Sequence, residues 1–395
     1  MSAEQPSSAR PSTAGRKAVI AFDCLFPNQT GGGERVYRAL ADELLRQGWR
    51  VEYLTRDDAA IEPVGFQVTS VWRGELYDAD GVRRIGPALR FAWSLFRALS
   101  RRRSADLFVV SATPVLNVFA AALALAGRPH RRLFVDWLEI WPLRKWREYS
   151  GAIAGTIAAA MQAAALRLSA NVTGDSEATI SRMPAAVKRT GPILMGLTGL
   201  GEPPQARVAG SANHPVVVLT VGRLIADKRV DAIPAALAEL MVTMPEARAV
   251  IVGTGPEEAA VRAAAAQAGM LDRVDFLGRV SDQELDELYR RASVLLNPSV
   301  REGFGLVVVE AAERGTPSVV IPGPNNAAAD LIQPGVNGFL AASHAPKDLA
   351  AALCAAVQAG DPLRASTLGW AQASRRGKSM QDSVLALLKH LDETS

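Results

Sequence analysis

Residues 299–310 read Ser-Val-Arg-Glu-Gly-Phe-Gly-Leu-Val-Val-Val-Glu. The two glycines, Gly303 and Gly305, predict a tight turn. Residues 292–297 before it have the leucine and β-branched content of a buried strand, and Pro298 ends that strand because proline cannot donate to a ladder. The apolar spacing of residues 306–314 predicts a helix that Gly315 stops. The stretch therefore predicts a strand, a tight turn and a helix in direct succession.

A helix that opens directly after a glycine turn presents amides and a positive dipole end to phosphate. The residues predicted to line this anion site are Gly303, Phe304, Gly305, Leu306 and Val307. Glu302 precedes the site and Glu310 lies about one turn inside the helix, so both carboxylates are expected to bind hydroxyls. Phosphate between two hydroxyl-binding carboxylates suits a nucleotide-diphosphate sugar, with ribose at one end and hexose at the other.

This pair of glutamates resembles a family signature. Glu302 and Glu310, with the two glycines between them, are similar to the E-x7-E motif of retaining, two-domain (GT-B) glycosyltransferases of the GT4 type. The resemblance covers residues 19–388, approximately. It implies an α/β fold of GT-B architecture, in which two Rossmann-like doubly wound domains face a central cleft. It also implies that Glu302 orients the donor sugar and that Glu310 binds the ribose.

A cationic loop follows the predicted strand at residues 215–221. The loop, residues 221–231, reads Val-Gly-Arg-Leu-Ile-Ala-Asp-Lys-Arg-Val-Asp and resembles the family pattern V-G-R-L-x-x-x-K-G-x-D. The resemblance assigns Arg223 and Lys228 to the donor diphosphate, whose charge they would neutralise. Arg229 stands where the pattern has glycine. The family likeness further implies that the backbone near Val280 holds the nucleobase.

The first half of the chain begins with a strand, a glycine loop, a helix and a second strand. This order predicts a Rossmann-like unit, although the loop at residues 29–33 is not the G-x-G-x-x-G that binds dinucleotides. In the resembled family this loop faces the donor diphosphate, which makes Gly32 and Gly33 candidate donor-binding residues. Further strands are predicted at residues 106–111, 132–137 and 170–173.

The predicted domain organisation has five parts. Residues 1–15 form a flexible tail, 16–195 an acceptor domain, 196–214 a linker, 215–373 a donor domain, and 374–395 a helix that returns to the first domain. In the donor domain, strands are predicted at residues 215–221, 249–252, 274–277, 292–297, 318–321 and 338–341.

Residues 136–149 follow a strand of the first domain and contain three tryptophans. Open α/β sheets bind ligands at the carboxyl ends of their strands, and aromatic faces stack on sugar rings. Asp136 and Glu139 are therefore predicted to contact an acceptor; packing of the tryptophans in the core is the alternative. Relatives commonly carry a histidine in this domain, but His130 lies in an arginine-rich loop and is expected to have a surface role. Asp136 and Glu139 are the predicted substitutes.

The resemblance implies transfer with retention of anomeric configuration, by same-face attack in which the departing phosphate takes the acceptor proton. Arg223, Lys228 and the turn amides would stabilise the departing diphosphate by preorganised electrostatics. Neither a metal nor another cofactor is expected. The acceptor is expected to be a small polar molecule, a natural product, a lipid-linked sugar or a glycan.

The chain has 395 residues, a net charge of +4 and 49% hydrophobic residues, values of a globular protein rather than a disordered one. Its two cysteines, Cys24 and Cys354, are far apart in sequence, which favours a reducing, cytoplasmic setting. Its longest apolar stretches are interpreted as core helices. Basic clusters at residues 101–103, 128–132 and 144–147 suggest peripheral contact with the inner face of a membrane, although solvated helix ends explain them more simply. No module that binds nucleic acid accompanies them.

Three alternatives remain open at this point. Asp78 and Asp80 match the D-x-D of metal-dependent, single-domain glycosyltransferases, although the tripeptide lies in a polar loop. The same two-domain fold also carries nucleotide-sugar epimerases and hydrolases, which would form product without an acceptor. A catalytically silent protein that binds a sugar nucleotide is the third.

Overall fold

The computed structural model describes residues 15–26, 31–56, 64–76, 84–127, 132–169, 171–196, 198, 200 and 215–393. Most of the predicted tail and linker lies outside these residues, as do His130, Asp78 and Asp80. Nearly continuous runs of Val, Ile, Leu and Phe form the strands, as expected for parallel sheets that are buried on both faces.

The first sheet has seven parallel strands in the order β3-β2-β1-β4-β5-β6-β7. In chain order they are β1 (Lys17–Ala21), β2 (Arg50–Thr55), β3 (Gln67–Ser70), β4 (Leu107–Ser111), β5 (Leu133–Trp137), β6 (Asn171–Gly174) and β7 (Ile193–Leu194). The five predicted strands are confirmed. β3 and β7 were not predicted, because they are short edge strands whose residues are half-buried or exposed.

Helices cover both faces of this sheet. They are α1 (Gly32–Arg46), α2 (Ile85–Ser100), α3 (Leu116–Ala124), α4 (Leu143–Ser150), α5 (Ala152–Leu168), α6 (Glu177–Ser181) and α7 (Ala185–Lys188). The core on one face includes side chains of α2, α3 and α5. The core on the other face includes side chains of α1 and of the last helix of the chain.

The second sheet has six parallel strands in the order β10-β9-β8-β11-β12-β13. They are β8 (Val217–Val221), β9 (Arg248–Val252), β10 (Val274–Gly278), β11 (Val294–Asn297), β12 (Ser318–Val320) and β13 (Gly338–Leu340). Its helices are α8 (Ile233–Met241), α9 (Glu258–Gln267), α10 (Asp282–Arg291), α11 (Leu306–Ala312), α12 (Pro346–Gln358) and α13 (Gly360–Arg375). All six predicted strands are confirmed to within two residues, and so is the α/β class with two Rossmann-like units.

The last helix, α14 (Met380–Glu393), packs against α1 and β7 of the first unit. Its buried residues Val384, Leu387 and Leu391 join the same apolar cluster as Leu40 and Leu44 of α1. The chain thus crosses from the second unit back to the first, and its last helix completes the first hydrophobic core.

Candidate active site

The glycine turn after β11 holds the carboxylate of Glu302 in a fixed orientation. Its Oε1 atom accepts hydrogen bonds from Lys228 Nζ at 2.6 Å, Ser299 Oγ at 2.8 Å and Asn297 Nδ2 at 3.2 Å. Because all three donors act on one oxygen, and one of them carries a charge, the side chain is oriented before a ligand arrives.

Residues 325–327 brace this turn from a neighbouring loop. The Glu302 amide donates to the Asn325 carbonyl oxygen at 3.0 Å, and the Ala327 amide donates to the Glu302 carbonyl at 3.0 Å. Buried Asn326 donates to the carbonyls of Ser299 and Ile321. Sequence reasoning left this segment without a role, since only the folded chain brings it beside residue 302.

The second carboxylate of the motif, Glu310, lies between groups of the two units. Glu310 Oε2 accepts a hydrogen bond from Tyr289 Oη at 2.7 Å, and Glu310 Oε1 lies 4.0 Å from Nη1 of Arg35 in the first unit. Arg35 also forms an ion pair with Asp282. Burial raises the pKa of Tyr289 well above its usual value, and the Glu310 charge raises it further, so the phenol remains a donor. Sequence reasoning identified neither Arg35 nor Tyr289.

The two cations of the β8 loop have different surroundings. Lys228 contacts Glu302, whereas Arg223 is exposed and close enough to Glu34 of the first unit to stabilise its charge. Burial nonetheless raises the pKa of Glu34. Lys228 neutralises the Glu302 carboxylate, and the predicted contact of Lys228 with phosphate remains a prediction.

The first glycine loop and the start of α11 meet across the cleft. A Cβ atom on Gly32 would lie 3.0 Å from Leu306 Cδ1, and one on Gly33 would lie 3.0 Å from Phe22 Cζ. Phe304 and Leu306 pack against the apolar cluster of the first unit. The structure thus brings the two predicted glycine turns together, although residues 29–30 of the first loop are not described. Val280 and Val307 are half-buried against the core of the second unit.

The position of Asp136 requires a correction. This residue is only 3% exposed, and its oxygens accept hydrogen bonds from Tyr37 Oη at 2.7 Å and Thr173 Oγ1 at 2.5 Å. Burial raises the pKa of Asp136, against the lowering effect of these donors. Since both oxygens are engaged inside the sheet, the predicted contact of Asp136 with an acceptor is wrong. Sequence alone could not show which of two carboxylates three residues apart faces the cleft.

Glu139, the other predicted carboxylate, does face the cleft. Its Oε2 accepts from Trp141 Nε1 at 2.6 Å and from Nη1 of Arg301, in the second unit, at 2.5 Å. Arg301 Nε donates to Asp227 Oδ2 at 2.8 Å, and the guanidinium lies 4.8 Å from the Trp141 ring centre. Burial opposes the charge of Asp227, but Arg301 and Lys145 together outweigh burial and lower the pKa of Asp227. We call Glu139, Arg301 and Asp227 the interdomain clasp; sequence reasoning found only its first member.

A small cavity of about 20 Å³ lies beside the clasp, room for about one water molecule. Both units line it, with Glu139, Trp141, Ser176 and Thr179 on one side and Glu302, Gly303 and Asn325 on the other. A Cβ atom on Gly303 would lie 3.1 Å from Glu139 Cγ, so glycine permits this close approach. Of the three tryptophans of residues 136–149, Trp141 lines the cavity and Trp146 packs against Trp141 with the two rings tilted by 48°. Trp137 is in the core.

Within the described ranges, no group of three or more His, Cys, Asp or Glu side chains could hold a metal ion. No described helix is long and apolar enough to cross a membrane.

Solved structures with the same architecture show which class of protein this fold defines. Sucrose-phosphate synthase from Thermosynechococcus elongatus superposes with a TM-score of 0.77 and 18% identity, over 96% of this chain and 100% of the other. Anabaena HepE in complex with UDP and glucose superposes with a TM-score of 0.68 and 19% identity, again over 96% and 100%. Two facing Rossmann-like units with this topology define the GT-B fold class.

The sequence comparisons define the family. Residues 31–195 match the glycosyl transferase 4-like domain, and residues 203–366 match the glycosyl transferases group 1. The chain belongs to the GT4-type GT-B glycosyltransferases.

Curated relatives match over shorter lengths. A D-inositol 3-phosphate glycosyltransferase of Streptosporangium roseum is 29% identical over 57% of this chain and 57% of its own length. The enzyme of that name from Segniliparus rotundus is 34% identical over 43% of this chain and 39% of its own length. The chain thus spans about half the length of the curated relatives it matches.

Proposed function

We propose that the protein transfers a sugar from a nucleotide-diphosphate sugar to an acceptor hydroxyl, with retention of anomeric configuration and without a metal ion. The observation that carries the proposal is the contact of Lys228 with Glu302 in the second unit, with Glu310 4.0 Å from Arg35 of the first unit. Arg223 lies on the same loop as Lys228 and close to Glu34 of the first unit. Carboxylates suit the hydroxyls of hexose and ribose, and the cations suit the diphosphate between them.

In the proposed reaction, the bond between the anomeric carbon and the diphosphate oxygen breaks while the acceptor oxygen attacks from the same face. Arg223 and Lys228 stabilise the negative charge that gathers on the departing diphosphate, and that phosphate takes the acceptor proton. Lys228 would move from Glu302 toward phosphate when the donor binds, and Glu302 would then accept from the sugar hydroxyls. Glu139 is the first-unit carboxylate positioned to accept from the acceptor.

The names of similar proteins suggest which ligands to test first. HepE was solved with UDP-glucose, and the curated relatives are named for an inositol phosphate acceptor. A UDP-sugar donor and a polyol phosphate acceptor should therefore be tested first. Amino sugars, natural products, lipid-linked sugars and glycans are the acceptors to test next. We further propose the cytoplasm, which supplies nucleotide sugars, as the compartment.

The first test is calorimetric titration of nucleoside diphosphates and their sugars in chelator. Glu310→Gln should weaken binding of the preferred nucleotide about ten- to a hundredfold, because each hydrogen bond to a charged acceptor contributes roughly 1.5–3 kcal/mol. Glu246→Gln, at a glutamate whose side chain is 81% exposed in the second unit, is the matched control.

Equal binding by Glu310→Gln, or binding only after manganese is added, would contradict the proposed donor site. Turnover should require an acceptor and give a product with the donor's anomeric configuration by NMR. Donor consumption without any acceptor would instead indicate an epimerase or hydrolase, and tight binding without turnover would indicate a silent binding protein.

A further inference from the structure

The outer face of α2, α3 and α5 exposes many large apolar side chains. These helices cover one face of the first sheet, so their inner sides are buried in its core. Their outer sides carry seven of the fourteen exposed large apolar residues of the described chain: Ile85, Leu89, Trp93, Leu123, Ile153, Ile157 and Leu168. Exposure reaches 71% at Ile85, 58% at Trp93 and 80% at Ile153. Isolated apolar residues are normal on surfaces, but a concentration on one layer marks a site of interaction.

The charged side chains of these three helices are all positive. Helices α2, α3 and α5 contain Arg90, Arg97 and Arg167 and no aspartate or glutamate. Along α2, Ile85, Leu89 and Trp93 follow one another at four-residue spacing, and Arg97 and Arg101 continue that spacing. Trp93 stacks on Phe96 with ring centres 5.2 Å apart. Apolar and basic side chains therefore share the outer side of one helix.

Of the basic clusters recognised from sequence, Arg101 extends the outer side of α2, but other members are engaged within the protein. Arg102 is bonded to Glu52, Arg103 to the Ala126 carbonyl, and Lys145 to Asp227. These side chains have partners inside the protein. The cationic character of the layer comes instead from the exposed arginines of α2.

We propose that the outer face of α2, α3 and α5 binds an anionic lipid surface. Aromatic and aliphatic side chains enter the headgroup region, while flanking arginines pair with lipid phosphates, which is the chemistry of interfacial helices. A second copy of the chain fits less well, because two such faces would place arginines against arginines. Nucleic acid would use the arginines but leave Ile85, Leu89 and Trp93 without apolar contacts.

The topology places this face beside the cleft. In a parallel α/β unit, a helix that follows a strand begins at the carboxyl edge of the sheet, where ligands bind. Helix α2 follows β3, and α4 and α5 follow β5, so Ile85 and Ile153 lie toward that edge. An acceptor at the lipid surface would therefore be close to the cleft.

Vesicle flotation of the full chain tests the proposal without depending on sugar transfer. We expect binding to phosphatidylcholine vesicles that contain phosphatidylglycerol, weak binding to pure phosphatidylcholine, and release at high salt. The double variant Leu89→Gln/Trp93→Gln should lower the partition coefficient about tenfold or more. Arg90→Gln/Arg97→Gln should lower it about tenfold and abolish the preference for anionic lipid.

The matched control is Val242→Gln, at a residue 79% exposed on the second unit, and its vesicle binding should equal that of the wild type. Quenching of tryptophan fluorescence by brominated lipid should fall in Trp93→Phe. This variant keeps an apolar ring, and its other tryptophans still provide a fluorescence signal. Circular dichroism melts verify that each variant is folded.

Three outcomes would overturn the proposal. One is the absence of binding to anionic vesicles, and another is equal binding by Leu89→Gln/Trp93→Gln and the wild type. The third is a wild-type dimer in sedimentation velocity that the same double variant dissociates, which would assign this face to a second copy of the chain.

Discussion

At the scale of single residues, Arg229 shows how a departure from a family pattern is accommodated. It is the only described non-glycine residue with positive φ, at +48°, where the resembled pattern has glycine. The left-handed conformation costs a side-chain-bearing residue about 1–2 kcal/mol. Its side chain pairs with Asp231, with Nε 3.1 Å from Oδ1. The turn geometry is therefore kept, at some cost in stability.

We predict that Arg229→Gly leaves the free energy of unfolding within about 1 kcal/mol of the wild type. Glycine relieves the backbone strain at positive φ, but it also increases the conformational entropy of the unfolded chain, and the two effects offset each other. Arg229→Val should lower it by about 2 kcal/mol, because a β-branched residue is strained in this region. Urea denaturation checks both variants. A valine variant as stable as the glycine variant would show that the turn relaxes.

Glu52 provides a prediction about pH. Although burial opposes its charge, hydrogen bonds from Arg102 and Lys17 lower the pKa of Glu52 to about 2, below its usual 4.5. A depressed pKa means that the stabilisation is complete above pH 4.5 and is lost as the pH falls toward 2. At pH 7, Glu52→Gln should cost on the order of 2 kcal/mol, since it leaves buried polar groups poorly paired.

The difference in free energy of unfolding between wild type and Glu52→Gln should shrink as the pH is lowered from 5 to 3. Denaturant melts at several pH values measure it. Glu258→Gln, which removes an exposed helical pair with Arg262, should cost less than about 0.5 kcal/mol at every pH. A difference that stays constant with pH would contradict the assigned ion pairs.

At the scale of elements, the junction between β11 and α11 depends on Gly305. This residue has φ of +97°, and an added Cβ atom would lie 2.4 Å from Ala328 Cβ. Ala328 belongs to the 3₁₀ turn at Ala327–Leu331, next to the residues that brace Glu302. The position of the helix start relative to Glu302 therefore requires glycine here.

Gly305→Ala should destabilise the protein by about 2 kcal/mol or more and weaken nucleotide binding, because the turn must shift. The control is Gly369→Ala in α13, where an added Cβ atom meets nothing within 4 Å. That change should stabilise the helix by about 0.5–1 kcal/mol. Thermal melts and nucleotide titration compare the two, and normal nucleotide binding by Gly305→Ala would contradict the assigned geometry.

At the scale of the whole molecule, the interdomain clasp connects the two units across the cleft. Arg301 of the second unit contacts Glu139 of the first, and Lys145 of the first lies 3.5 Å from Asp227 of the second. Charge-assisted hydrogen bonds of this kind contribute roughly 1.5–3 kcal/mol each.

Arg301→Met should give a more open ligand-free protein, with a larger radius of gyration by X-ray scattering. We expect an acceptor KM about tenfold higher, because Glu139 is no longer oriented. A double-mutant cycle with Glu139→Gln should give a coupling energy of about 1 kcal/mol or more. Arg248→Met, which breaks a pair with Asp275 inside the second unit, should leave the radius of gyration unchanged. An unchanged radius in Arg301→Met would show that other contacts hold the two units together.

Much of the fold follows from local pattern. The long apolar strands and the glycine turn were predictable because each depends on neighbouring residues. The two strands that were missed are short and half-exposed, so their apolar pattern is too weak to be recognised. The motif that spans Glu302 and Glu310 was predictable for the same local reason.

The sequence by itself determined the two Rossmann-like units, the family motif and the cationic loop, because strand periodicity, glycine turns and motif spacing are local properties of a chain. Only the tertiary structure decided that Asp136 is buried while Glu139 faces the cleft, and that Arg35 and Arg301 reach across it. Arg35 and Arg301 contact residues more than a hundred positions away, and Asp136 is buried by partners from other elements of its unit. No local pattern encodes which distant groups the two facing sheets bring together.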